Sequence, residues 1–363
     1  MNSLRQEVAL ARDRRDEGLD NQPMMATFST TAVLFAFKPA VFWPWVEGSS
    51  ILLIGLAALS WSEARHSRGL EKLIPFGPML YAVAIAVFSG DHFGTPRIVA
   101  TIVPKWMPWH LFWAYFVGAA LIAAALSLAA HRHSQLAAAL TGVMLFLFVL
   151  MIHIPNCFRA PHDRSIYTIA ARECLLSAGA FAYAAVLAHD WRGGRYRGWG
   201  LALRSSAAWT KMASISRIVI GVVLVDYGIQ QFLFPNYAPG IPQQGPEVIQ
   251  MPSWIPAHAL WTYASGAIFL VCGIALLLNR RSRLIAEFLA AVVLVITAFV
   301  YLPATIENPA NIGIGLNYVA IHFMLAGAAL MLARAMPATS NENASIPVGV
   351  REHAPSTVKV DAS

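Results

Sequence analysis

Three properties of the chain predict an all-α fold of membrane-spanning helices. Charge is scarce: 12% of the 363 residues are charged and 57% are hydrophobic, where soluble domains carry roughly 25% charged residues. Apolar runs of about 20 residues, the length needed to cross a hydrocarbon layer, follow one another along the chain. Lys and Arg fall between these runs, which gives the net charge of +7 the look of a topology signal. Nucleic acid is therefore excluded as a partner, and the lipid bilayer is the expected one. The architecture that results is a polytopic transmembrane helical bundle, with two four-helix modules in parallel repeat plus an N-terminal helical hairpin.

The elements follow in order. Residues 1–25 read as a cytoplasmic arm, rich in Arg, Asp and Glu and without the continuous apolar stretch of a signal peptide. Residues 26–66 read as the transmembrane hairpin, Ala26–Trp45 and Ser50–Glu63, with Lys38 able to lay its stem along the helix and reach a headgroup. Module one, residues 73–190, holds Leu73–Phe93, Pro108–Ala130, Gln135–Pro155 and Tyr167–Ala188. Residues 191–211 form a basic cytoplasmic linker. Module two, residues 212–337, holds Met212–Phe234, Pro256–Leu278, Leu284–Leu302 and Gly315–Leu332. The polar stretch 338–363 reads as a disordered tail.

The basic residues orient these ten spans. Arg65, Arg68, Lys72, Arg132, Arg192, Arg195, Arg197, Arg204, Lys211, Arg280, Arg281 and Arg283 fall in one set of loops. The opposite set has only Arg97, Lys105, Arg159 and Arg164. The first set is expected in the cytoplasm. An even number of spans then puts both termini there, in an inner (plasma) membrane, multi-pass protein.

The module boundaries come from a self-match at an offset of 148 residues. Pro104, Trp106, Pro108, His110, Trp113 and Tyr115 pair with Pro252, Trp254, Pro256, His258, Trp261 and Tyr263. The same offset pairs Gly118 with Gly266, Arg132 with Arg280, Pro155 with Pro303 and Ala178-Gly179-Ala180 with Ala326-Gly327-Ala328. Each module has an even number of helices, so both enter the membrane from the same side. The prolines are expected in the first helical turn, where a missing N–H costs nothing. The tryptophans are expected at the membrane interface. His110 and His258 have no role in that account.

These residues also carry a resemblance. His92-Phe93-x-x-Pro96, Ile102-Val103-Pro104 and Tyr115-x-x-Gly118 resemble the DoxX-like family of small four-helix membrane proteins. So do Gln231-Phe232 with Pro235, Met251-Pro252, and Tyr263-Ala-Ser265-Gly266. The resemblance covers about two thirds of the chain and implies a tandem duplication. Some relatives are linked to quinone-coupled sulfur oxidation or to membrane redox complexes, which implies a redox- or quinone-associated subunit and a membrane redox partner. The family's Glu three residues after the Gly is replaced here by Leu121 and Phe269, and His92 of module one is replaced by Gln231 in module two.

The candidate site is assembled from polar residues at membrane depth. Asp226 lies inside a span with Gln230 one turn away, and a buried carboxylate must be neutral, paired or wet. With His258 and His322 these define a candidate pocket of Asp226, Gln230, His258 and His322, open to the outer side. The alternative for Asp226 is a protonated side chain packed against the bundle. Arg172-Glu173 reads as a structural pair. His92, His110, His153, His162 and His258 fall at outer helix ends or loops, where haem or a metal could be ligated. The alternative is imidazoles held by loop carbonyls. No metal site is assigned, and the cofactor stays unknown, with haem and quinone open. Cys157, Cys174 and Cys272 form no C-x-x-C pair; a Cys157–Cys174 disulfide and free thiols are the two readings. No P-loop or nucleotide-binding, zinc-protease or hydrolase motif is present, so no catalytic residue is assigned and enzymatic activity is left open. Beside the redox reading stand a small-solute or proton-coupled transporter or binding protein and a membrane scaffold or assembly factor.

Overall fold

A computed structural model describes residues 38–192, 206–242 and 249–337. The expected N-terminal arm, most of the linker and the tail lie outside these residues. Among the described residues there is no strand, and nine helices are long and apolar enough to cross a membrane.

The first helix corrects an expectation. Instead of a hairpin, residues 39–58 form one helix, α1 (Pro39–Ala58), which runs straight through the expected turn at 46–49. Gly48 lies between the two expected spans, yet it is a helix contact residue. A Cβ on Gly48 would lie 2.8 Å from Val87 Cγ2, and one on Gly55 or Gly90 would collide with Met79 or the Pro44 backbone. Small residues let two helices approach closely where no water-driven force holds them together. The short helix Trp61–His66 and the 3₁₀ segment Gly69–Phe76 then lead into α2 (Gly77–Gly94).

Module one continues with α3 (His110–Ala129), α4 (Ser134–Phe148) and α5 (Arg164–Arg192). Module two has α6 (Ser206–Leu233), α7 (His258–Leu277), α8 (Ser282–Ile296) and α9 (Ile312–Ala335). Backbone features recur at the offset of 148. Left-handed residues precede α3 and α7 at Trp109 and Ala257, and precede α4 and α8 at His131, His133, Asn279 and Arg281. Both α4 and α8 widen into π turns, Val149–His153 and Thr297–Tyr301, before the short helices Ile154–Arg159 and Leu302–Glu307. Pro155 and Pro303 account for this. Each lacks the N–H that would bond four residues back, and its ring crowds that carbonyl, so the preceding turn opens.

The helices pack as a ring. Each neighbours the next from α2 to α9, α9 returns to α2, and α5 packs on α9 across the middle. The first helix of each module thus lies against the fourth helix of the other. Helix α1 lies against α2, touching α3 and α9. Gly179 abuts Ala328, and Gly327 abuts Gly77 and Tyr81. Two ion-pair groups tie the face that bears the basic loops: Arg283 bridges Glu71 (2.8 Å) and Glu287 (3.3 Å), and Arg334 meets Glu63 (3.2 Å).

The repeated motif has a geometry that differs from the expected one. Pro108 and Pro256 precede their helices instead of opening them, because Trp109 and Ala257 are left-handed. Their carbonyls accept the indole N–H of Trp113 and Trp261, each at 3.0 Å. The imidazole Nε2 of His110 and His258 bonds the carbonyls of Pro104 and Pro252, at 3.2 and 3.3 Å. The motif is a clasp that fixes the loop to the head of the following helix.

Candidate functional site

The polar side chains of the membrane interior gather where the heads of α5 and α9 meet, toward the face opposite the basic loops. Asp226 is two turns from the end of α6. Its Oδ2 accepts Gln230 Nε2 at 2.7 Å, and Gln230 Oε1 accepts the hydroxyl of Thr168 on α5 at 3.0 Å. The chain therefore crosses from module two into module one, which no spacing in the sequence announces. Tyr227, fully buried, donates to the Thr168 carbonyl at 3.4 Å.

Thr168 also lines a cavity of about 210 Å³. Its walls are Ser165, Thr168, Ile169 and Arg172 of α5, Ile314, Asn317, Tyr318 and Ile321 of α9, and Ile241-Pro242. Arg172 bonds Glu173 Oε1 at 3.2 Å through one terminal nitrogen, while its Nε is buried without an acceptor. The Oδ1 of Asn317 is buried without a donor. One orphaned donor and one orphaned acceptor thus belong to residues of a single cavity. A second cavity of about 480 Å³, with Gln250, Thr305, Glu307, Asn308 and Asn311 among its lining, shares Ile314 with the first.

The four residues expected to share a pocket occupy three settings. Asp226 and Gln230 are joined to each other and to Thr168, as above. His258 is clasped to Pro252 at an exposed helix head. His322 is fully buried in α9. Its Nδ1 donates to the Tyr318 carbonyl (2.7 Å), which leaves Nε2 to accept the N–H of Ile241 (3.3 Å). Both ring nitrogens are used, and the tautomer is set by the two partners. Tyr301 lies against the ring at 3.9 Å.

His322 is one of several residues that hold the loop 237–242 inside module two. Gln231 Nε2 donates to the Gly240 carbonyl (2.7 Å), and Gly240 N donates to Ser265 Oγ (3.0 Å). Tyr301 and Thr262 donate to the carbonyls of Pro239 (3.0 Å) and Tyr237 (2.6 Å). Gly240 is required: its φ is +103° and a Cβ would lie 2.5 Å from His322 Nε2.

Among the described residues no group of three or more His, Cys, Asp or Glu side chains is placed to hold one metal ion. The three cysteines are free thiols, which decides between the two readings of Cys157 and Cys174.

The DoxX family model matches residues 212–302. The segment 212–302 of this multi-helix membrane protein is DoxX-like. The match lies within module two and takes in α6, α7 and α8, Asp226, the clasped loop and the π turn. No curated protein and no solved structure matches the chain.

Sequence reasoning missed Thr168 and Asn317, and it read Arg172-Glu173 as a structural pair without the cavity beside it. Arg172 inside a predicted span was the available signal. Asn317 gave none, since an uncharged amide in an apolar helix is unremarkable until its neighbours are known.

Proposed function

We propose that this membrane protein binds the oxygen-bearing head of a lipid-soluble molecule of the quinone class, between its two central helices, and serves a membrane redox partner. One observation carries the reading: Arg172 Nε and Asn317 Oδ1, a donor and an acceptor, are buried and unpaired on residues that line the same cavity. An unmade buried hydrogen bond costs about 1–3 kcal/mol, and a head group with carbonyl and hydroxyl oxygens supplies both missing partners. Ile169, Ile241, Ile314, Ile321 and Tyr318 offer a flat ring apolar walls. The residues would bind and orient the head group; the electron chemistry would belong to the bound molecule and its partner.

The test is calorimetric titration of the full-length protein in detergent with short-chain quinone and quinol analogues. Arg172→Gln should weaken binding roughly 10- to 100-fold, the worth of one hydrogen bond to a charged group, with the melting temperature recorded alongside. No saturable binding by the wild-type protein, or equal affinity in the variant, would refute the reading.

The larger cavity favours a second reading, passage of a small polar solute. It forms a polar vestibule that adjoins the inner cavity at Ile314. Flux into proteoliposomes, absent in Arg172→Gln, would support it. We infer also that the two modules arose by tandem duplication and that the basic loops face the cytoplasm from an inner membrane. The recurrence at 148 residues supports the first inference, and the excess of Lys and Arg supports the second.

A further inference from the structure

The lipid-facing side of α6 carries one group that lipid cannot serve. We propose that this side is the docking surface for a transmembrane helix of a partner protein, and that the helix brings a Lys or Arg to Asp226.

The spacing of side chains on α6 builds the surface. Ile215, Ile218, Val222, Ile229 and Phe232 are exposed, and Val225 among them is half-buried. Together they alternate at spacings of three and four residues, the seam along which two membrane helices pack left-handed. Gly221 and Gly228 abut α7, and Gln230 reaches Thr168 of α5, so the seam lies on the side that both neighbours leave open.

Acyl chains cover such a seam as well as a helix does, but they offer nothing to Asp226. This residue is half-buried at the edge of the seam, one turn from Val222. It precedes Leu233, the last residue of α6, by a rise of about 10 Å at 1.5 Å per residue. Its Oδ2 accepts Gln230 Nε2 at 2.7 Å, and a neutral amide balances no charge. Among the described residues no Lys, Arg or His forms an ion pair with it. Arg172 pairs with Glu173. Arg217, more than two turns deeper in α6, donates to the carbonyls of Leu276 and Leu277. Ionisable groups at membrane depth face a partner or a wet cavity, and Asp226 lines neither of the two polar cavities.

Charge complementarity names the occupant. A carboxylate in hydrocarbon calls for a cation at its own depth. A lipid amine stays with the headgroups, about 10 Å away, whereas a helix can carry a Lys or Arg to any level. A second copy of this chain packed by the same face would set carboxylate against carboxylate.

The contact also reaches the interior. Gln230 Oε1 accepts the Thr168 hydroxyl at 3.0 Å, and Thr168 lines the inner cavity. Two hydrogen bonds thus join the docking surface to the cavity wall. The surface stands whether or not that cavity takes a quinone head.

Energy transfer between the full-length protein and synthetic transmembrane peptides tests the proposal, in phosphatidylcholine vesicles that offer no primary amine. One peptide is a leucine–alanine helix with a single Lys about 10 Å from one end, and the control has Leu in that place. The Lys peptide should bind the wild-type protein roughly ten-fold more tightly than the control, and Asp226→Asn should erase the difference. Should Asp226→Asn fail to fold, the wild-type protein decides with a third peptide, whose Lys sits in the terminal turn and which should bind like the control. Equal binding of the Lys peptide and the control by the wild type overturns the proposal. So does a preference that survives in Asp226→Asn, or one indifferent to the depth of the Lys. Energy transfer between copies of the protein that Asp226→Asn abolishes would give the face to a second copy and overturn it equally.

Discussion

At the scale of single residues, the chemistry of this protein is decided by which hydrogen bonds are already spent. His322, the most buried of the candidate residues, has no free nitrogen, because Tyr318 and Ile241 use both. Arg172 and Asn317 each keep one group unspent. Gly240 shows how little tolerance such a site has. Gly240→Ala should destabilise the protein by roughly 1–3 kcal/mol through backbone strain at positive φ, with the His322 contact disrupted as well. Unfolding in a graded series of denaturing detergent measures it, and an unchanged midpoint would mean that the loop does not sit against His322. Asp163 gives a pH dependence outside the membrane. Its carboxylate accepts from the Ser165 hydroxyl and the Ser165 N–H (2.9 Å), and these bonds hold its pKa below the usual carboxylate range. A group with a depressed folded pKa stabilises above its unfolded value and loses that effect as pH falls. The first turn of α5 should therefore open as the pH drops through the carboxylate range. Protection factors for hydrogen exchange at Ser165 and Ile166, with the intrinsic pH dependence divided out, should fall with pH in the wild type and not change with pH in Asp163→Ala.

At the scale of elements, the informative features are the departures from regular helix. The π turns before Pro155 and Pro303 re-aim the side chains they contain, and Tyr301 from the second of them reaches the Pro239 carbonyl. Restoring the missing N–H with Pro303→Ala should let the α-helical ladder close. Tyr301 then rotates away, and the loop 237–242 loses one of its anchors. Amide exchange at Gly240 and Ile241 should rise several-fold, while Asn308→Ala, beyond the turn, should leave it unchanged. Equal protection in Pro303→Ala would show that the π turn is set by packing and not by proline. The clasp residues His110 and His258 belong to this scale too. Their spacing was visible in the sequence, but their purpose became clear only when the Pro104 and Pro252 carbonyls were found at their ring nitrogens.

At the scale of the molecule, eight helices close a ring in which α2 packs on α9 and α6 on α5. The central contact of α5 with α9 joins the modules and forms the cavity, with Gly179 against Ala328 allowing the close approach. The faces of the ring differ in charge, and this predicts topology. A periplasm-active reporter fused after Gly240 should be active, and one fused after Arg195 inactive. The reverse pattern would invert the orientation drawn from the basic loops. The expected parity of ten spans does not enter, since nine spans lie among the described residues and residues 1–37 are outside them.

By itself the sequence determined the solvent, the class and most of the plan. Scarce charge and runs of about 20 apolar residues leave the chain no folded state but helices in lipid, since every backbone group must be bonded within its own segment. That constraint is local, so it is legible residue by residue in eight of the spans and in the 148-residue recurrence. The tertiary structure decided what depends on neighbours distant in the chain. It joined Asp226 and Gln230 to Thr168, placed Asn317 with Arg172 in the wall of one cavity, and separated His258 and His322 from Asp226. It also put Gly48, between the two expected spans, inside one helix and against Val87. In water, polarity in the sequence largely tells which side of a helix faces out. In lipid both the outside and the core are apolar, so the packing alone decides which polar groups meet.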